Sequence, residues 1–347
     1  MRIFTTVPQD DLRKVPAAAK AIEADGYDGI VTMENRHDPY LPLAVAAVET
    51  ERVELVTGIA ISFTRSPMVA ANVSWDLNEA SRGRFVLGLG TQIRAHNERR
   101  FSVPWSPPAP RMREYIQALR AIWNSWTTGE RLNYRGEHYT FTLMTPNFVP
   151  ETVGGLPQPR VTLAAVGPAM LKVAGEVADG VRLHPFCTRK YLEDTVLPRL
   201  DKGLAIQGRS RETFEITGGG FVVTGPDEAA VAKLREWVRY RVAFYGSTPA
   251  YWPVLEAHGL DDLGRELNAM TKEGRWDELA GRIPDDVLDL FAAIAPHDRL
   301  ASVIEERFGG LVDSIYASTS SEIASDMPPG LIQDIQRIPR RFQGFPA

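Results

Sequence analysis

The feature that most constrains this chain is its alternation of short β-branched or apolar runs with longer stretches of helical periodicity. Strand-like runs at 2–7, 29–32, 53–61 and 84–89 alternate with helical segments at 12–24, 41–50, 67–80 and 111–126. The rhythm resumes with strands at 160–165, 180–183, 214–223 and 311–317, and helices at 168–177, 191–207, 227–245 and 297–308. Strands joined by helical crossovers pair in parallel, because each helix returns the chain to the same end of the sheet. Eight such units, at about 250 residues for the whole set, predict an α/β fold of the closed (β/α)8 barrel type rather than an open doubly wound sheet.

Two stretches interrupt the alternation. Residues 127–159 are rich in Gly, Pro, Asn and Thr and contain a hairpin pattern at 132–141 around Arg135-Gly136. Residues 247–284 carry Pro249, Trp252 and Pro253 and several short helical pieces. Both read as insertions in one barrel domain spanning 1–347. At 347 residues and 44% hydrophobic content the chain can bury a large core.

Charge narrows the partners. The net charge of -5 leaves no broad basic face for a polyanion, so nucleic acid is not expected. The single cysteine, Cys187, excludes an internal disulfide framework and a thiolate metal cluster, and it fits the reducing cytoplasm. The N-terminal MRIFTTVPQDD has no signal-peptide pattern, and no apolar run approaches the roughly 20 residues that span a bilayer.

In a barrel of this kind, chemistry sits where strands end and loops begin. After the second strand comes Thr32-Met33-Glu34-Asn35-Arg36-His37-Asp38-Pro39-Tyr40, denser in polar groups than a connector requires, although Asp38-Pro39 alone would suit a helix-capping turn. Gly58, inside the third strand, implies a bulge or a ligand close to the backbone. The fourth strand ends in Gly88-Leu89-Gly90-Thr91-Gln92; Ile93 replaces the third glycine of a dinucleotide fingerprint, so that signature fails. The polar residues that follow, Arg94 to Arg100, fit a solvated helix face. Gly167-Pro168 after the fifth strand marks a helix start whose free N–H groups suit a phosphate, or an ordinary strand-to-helix turn. The sixth strand delivers His184 to the barrel mouth. No His-x-His pair follows the first strand and the six histidines are scattered, so no metal site is expected.

Together these segments resemble the luciferase-like oxidoreductase superfamily, which includes bacterial luciferase, flavin-dependent monooxygenases and enzymes that use the deazaflavin coenzyme F420. The likeness runs along nearly the whole chain. It rests most on 29–35, 57–67, 84–91 and Leu163-Ala164-Ala165-Val166-Gly167-Pro168-Ala169 with Ala174-Gly175 and Ala178-Asp179-Gly180. The resemblance implies a barrel with the cofactor ring in its mouth and a non-proline cis peptide at Gly58-Ile59. It places Thr91 and Asn97 on the cofactor, and Ala165, Val166, Gly167, Pro168 and Ala169 around its side-chain phosphate. The chain departs from the family pattern at two positions. Asn35 stands where relatives carry a catalytic histidine after an acidic residue, here Glu34, and His37 lies two residues on. Ile93 replaces an acidic residue of the fourth loop.

The expected chemistry is hydride transfer between C5 of coenzyme F420 and a small organic substrate. Glu34, Asn35, His37 and His184 are the candidate catalytic residues, and either histidine could carry the proton. An FMN-dependent monooxygenase is the rival enzyme, and a non-catalytic flavin carrier the rival of another class. The aromatics of the irregular stretches, among them Trp105, Tyr134, Tyr139 and Trp252, could wall the substrate pocket or form local core. By family habit the protein would be a homodimer.

Overall fold

Eight parallel strands close on themselves. The computed structural model describes residues 1–151, 155–317 and 326–345; of the irregular stretch at 127–159, residues 152–154 fall outside that set. The barrel is built from β1 (Arg2–Thr5), β2 (Gly29–Thr32), β3 (Glu54–Thr57) continued by β4 (Ala60–Ile61), β5 (Phe85–Gly90), β8 (Arg160–Ala165), β9 (Gly180–Leu183), β10 (Glu215–Gly218) and β13 (Ser314–Tyr316). Their order is β3-β2-β1-β13-β10-β9-β8-β5-β4, and pairing of β3 with β5 completes the ring.

The helices pack outside. They are α1 (Val15–Asp25), α2 (Tyr40–Glu49), α3 (Pro67–Ala80), α4 (Arg94–Arg99), α5 (Pro108–Thr128), α6 (Pro168–Val177), α7 (Arg189–Tyr191), α8 (Leu197–Ile206), α9 (Glu228–Gly246), α10 (Trp252–Glu256), α11 (Asp261–Lys272), α12 (Asp285–Phe291), α13 (His297–Phe308) and α14 (Pro329–Gln336). The longer helices turn an apolar stripe inward, as α1 does by burying Val15, Ala19 and Ile22, spaced four and three residues apart on one face. Among the described residues no helix is long and apolar enough to cross a membrane.

The barrel interior is polar at its base. Arg2 reaches both Glu54 (2.9 Å) and Glu215 (2.8 Å), and Ser314 donates its hydroxyl to Glu215. One level up, Arg182 donates to Thr162 Oγ1 (2.8 Å) and Tyr316 OH (3.0 Å). The Phe4 ring lies near both guanidiniums, at 4.8 and 5.8 Å. Charges this deep persist only because they are paired and hydrogen-bonded.

Three features depart from the sequence pattern. The strand expected at 214–223 breaks at its glycines, and β11 (Phe221–Val223) leaves the barrel to pair with β12 (Ala292–Ile294). That partner is a three-residue apolar run, too short to show a period of two. Helix α14 also went unread. The expected helix at 12–24 opens as a 3-10 turn at Leu12–Lys14 capped by Asp11. The first irregular stretch holds the hairpin β6 (Tyr134–Arg135) with β7 (Thr140–Phe141), in antiparallel register as its sequence suggested.

Candidate functional site

The third strand does not run through to residue 61. It stops at Thr57, turns through a cis Gly58–Ile59 peptide bond, where the resemblance placed one, and resumes as β4. Hydrogen bonds bracket the interruption. Gly58 N–H donates to Thr32 O (2.6 Å), Glu34 N–H to Ile59 O (3.1 Å) and Ser62 N–H to Gly90 O (2.9 Å). The Thr57 hydroxyl donates to Gly88 O and accepts from Gly88 N–H, both at 2.8 Å. One side chain thus satisfies two buried backbone groups beside the gap.

No side chain fits on this floor. A Cβ at Gly58 would stand 2.5 Å from Val31 Cγ1, one at Gly90 2.7 Å from Ile59 Cγ1, and one at Gly88 1.8 Å from Thr57 O. The glycines let the third and fourth strands and the cis peptide between β3 and β4 pack closely at the barrel mouth, with Val31, Ile59 and Thr57 filling the space that side chains would take.

The loop after β2 is held over the floor by charge. Glu34 Oε2 accepts from Ile61 N–H (2.7 Å) and from Arg65 Nη1 (2.7 Å), while Arg65 Nη2 reaches Asp38 (3.0 Å). Glu34 is therefore a positioning residue in this geometry, stapling its loop to the segment that follows Ile59. Asn35 Oδ1 accepts from Arg36 N–H, and Asn35 O accepts from Arg100, which ties α4 to the same loop. His37 is exposed on the rim. Sequence reasoning missed Gln9, whose amide donates to Met33 O (2.9 Å) and accepts from Met33 N–H (3.0 Å). Its only signal was a polar residue just past the first strand, on the face where function gathers.

Asn97 is fully buried. Its Nδ2 braces the fourth loop by donating to Thr91 O (2.8 Å) and Ile93 O (3.1 Å), whereas Oδ1 has no partner among the described residues. An unpaired acceptor at such depth is unfavourable by about 1–3 kcal/mol, so a donor from a bound ligand would complete it. Thr91 is half-buried beside it.

On the next strand, α6 begins at Pro168 with Gly167 as its N-cap and no side-chain cap, so its first-turn N–H groups have no intrahelical partner. Nothing lies within 4 Å of a Cβ built on Gly167. The residues present thus offer an orphaned acceptor for a ring and an uncapped helix start for a phosphate. The floor and the helix start ride on consecutive strands, β4, β5 and β8.

His184 follows β9, one register step beyond the Ala165–Leu183 pair. Its ring sits 4.3 Å from the Tyr245 ring and 4.6 Å from that of Tyr251, and its Nδ1 accepts from Phe186 N–H (3.0 Å). Burial, helped by the Arg241 charge, pushes its pKa down to about 3. That direction runs against the expectation that His184 carries a proton near neutrality, because burial and the nearby Arg241 charge both disfavour the imidazolium. Cys187 is likewise inert, since burial pushes its thiol up to about 12.

The first insertion gathers Glu114, Glu137 and His138, but Glu114 accepts from the backbone N–H groups of both other residues, which makes it a hairpin anchor. Trp252 donates to Gly246 O, Tyr139 packs on Tyr115, and Tyr134 bonds Gln117. These three aromatics are structural cement.

A closed eight-stranded parallel barrel flanked by helices is a fold this chain shares with luciferase-like oxidoreductases. The chain belongs to that family: residues 2–314 match the luciferase-like monooxygenase family model. An uncharacterised protein of Mycobacterium tuberculosis is 47% identical, with 97% of this chain and 98% of that protein covered. A putative coenzyme F420-dependent oxidoreductase of the same species is 28% identical over 91% of this chain and 93% of its own. Among solved structures, the coenzyme F420-dependent tetrahydromethanopterin reductase of Methanopyrus kandleri has the same fold, at TM-score 0.72, 22% identity and 97% coverage of both chains.

Proposed function

We propose that the protein is a coenzyme F420-dependent oxidoreductase that passes a hydride between deazaflavin C5 and a small organic substrate. The observation that carries this reading is the glycine floor of β3, β4 and β5 beside the uncapped start of α6. The F420-dependent relative supports it. Gly58, Ile59, Thr91 and Asn97 would meet the ring, and Ala165, Val166, Gly167, Pro168 and Ala169 the phosphate. When bound, the cofactor would supply the hydride chemistry, while the chain orients it and excludes water. Glu34 and Asn35 fix the loop that carries His37, which stands free to exchange a proton between substrate and solvent. The whole chain acts as one domain in this reading, and its single buried thiol suits the cytoplasm.

The test is a fluorescence titration of purified protein with F420 and with FMN. Binding of F420 at least about tenfold tighter, or about 1.4 kcal/mol, is expected. Tight FMN binding with none of F420 would replace this reading with a flavin monooxygenase.

We also propose a homodimer. Leu41 and Val48 on α2 and Val69 on the adjacent α3 are 54%, 71% and 55% exposed, and these are the apolar side chains such a dimer would cover. Light scattering should give twice the chain mass for the wild type and a monomer for Val48→Glu combined with Val69→Asp. A monomeric wild type would sink this proposal.

A further inference from the structure

The barrel interior next to the mouth is filled from one side. Inside the barrel, Phe4, Val56 and Val86 form a small cluster against which Val31 and Tyr316 pack. Side chains alternate in and out along a strand. On three adjacent strands, the inward positions one step nearer the mouth than Val56, Val86 and Thr162 are therefore Gly58, Gly88 and Ala164. With so little side chain there, the axis is taken by Arg182 from β9 and Tyr316 from β13. Four other strands fix the guanidinium in that central place. Its Nε donates to Thr162 Oγ1 on β8 (2.8 Å) and stands 3.2 Å from where a Cβ of Gly88 on β5 would be. Its Nη1 donates to Tyr316 OH (3.0 Å) on β13, and the Phe4 ring on β1 lies 5.8 Å away.

Two donors on this axis are unused. Arg182 is 3% exposed, and its Nη2 is buried without a partner among the described residues. Tyr316 accepts from Arg182, and its own hydroxyl hydrogen meets no acceptor among the described residues. The carboxylates of Glu54 and Glu215 lie toward the base and are engaged by Arg2 and Ser314, so they balance charge without occupying either donor. Tyr316 is half-buried, as are Val31, Gly58 and Ala164, so the phenol borders the part of the interior that a ligand in the mouth can reach.

We propose that the Tyr316 O–H, held and polarised by Arg182, donates to the cofactor ring and stabilises the negative charge that the ring acquires with the hydride. The inference rests on the cofactor reading above and adds to it a cofactor-contacting residue, Tyr316, and a positioning residue, Arg182. When substrate is oxidised, its C–H bond breaks and the electron pair travels with the hydrogen to C5. The proton from the substrate's own O–H or N–H leaves to solvent, and the ring is left with a negative charge spread over N1 and the C2 carbonyl. A phenol hydrogen-bonded to a fixed cation is a stronger donor than a phenol alone, and buried as it is the pair needs no reorganisation to meet that charge.

The experiment measures the affinity of oxidised and of reduced F420 anaerobically by isothermal titration calorimetry. Tyr316→Phe keeps the packing and removes the donor; Arg182→Met removes the cation that holds it. Each is expected to weaken reduced F420 about tenfold or more, the loss of one hydrogen bond to a charged group, while oxidised F420 stays within about twofold. Arg182→Lys, which keeps the charge, should recover part of the loss. Equal weakening of both forms would make the pair mere packing and overturn the inference, as would unchanged affinity for both. If Arg182→Met misfolds by circular dichroism, Tyr316→Phe decides, and the reverse holds equally, because each variant abolishes the same polarised donor. A wild type that binds neither form would overturn the cofactor reading and this inference with it, whereas normal wild-type binding with unselective variants overturns this inference alone.

Discussion

Gly88→Ala should prevent the barrel from closing correctly. The added Cβ would lie 1.8 Å from Thr57 O, a backbone atom that no rotamer change can move. The fourth strand would have to slide away from the third, and in doing so it would break the paired hydrogen bonds between the Thr57 hydroxyl and both backbone groups of Gly88. Overpacking of this kind typically destabilises by about 1–3 kcal/mol, and each buried polar group left unpaired adds about 1–3 kcal/mol. The expected outcome is insoluble protein, or soluble protein whose unfolding free energy in urea falls by about 4 kcal/mol or more. Gly281→Ala serves as the control, because nothing lies within 4 Å of a Cβ built there. Its stability should change by less than about 0.5 kcal/mol. A Gly88→Ala protein that unfolds like the control would contradict the backbone contact on which the site is built.

Glu34→Ala should uncouple the second loop from the floor. It deletes the acceptor of Ile61 N–H and one of the two carboxylates of Arg65, whose side chain is only 21% exposed. Removing one partner of a fully buried pair destabilises by about 3–5 kcal/mol; Asp38 remains to hold Arg65 here, so about 2 kcal/mol is the expected loss. The sharper effect should be on ligand affinity, because Glu34 N–H and Oε2 bracket the Ile59–Ile61 segment from both sides. Glu34→Gln keeps an acceptor for Ile61 N–H and should recover part of the affinity, and Glu34→Ala combined with Arg65→Met should recover part of the stability by removing the stranded cation. Urea unfolding and F420 titration measure the two effects separately. If Glu34→Ala lost no stability and bound as the wild type does, Glu34 would not be the staple described.

Much of this arrangement was legible one dimension at a time. The alternation of apolar strands with helix-period segments is local, and each run declares itself through its own spacing, so the eight barrel strands were countable from the chain. Gly58 was conspicuous for a related reason: a residue without a side chain inside an otherwise β-branched strand signals a bulge or something close to the backbone. What approaches could not be read, because the Cβ clashes involve Val31, Ile59 and Thr57, residues on neighbouring strands or across the bulge.

The division falls along contact range. Sequence alone determined the barrel and the family, because periodicity and short motifs are properties of neighbours along the chain. Tertiary structure alone decided that β11 leaves the barrel for β12, that Gln9 clamps Met33, that Glu34 is engaged by Arg65, and that burial and the Arg241 charge push the His184 pKa down. Each of these depends on which side chains meet across tens or hundreds of residues. A histidine's spelling is the same in water and in a desolvated corner, and only its surroundings set its charge.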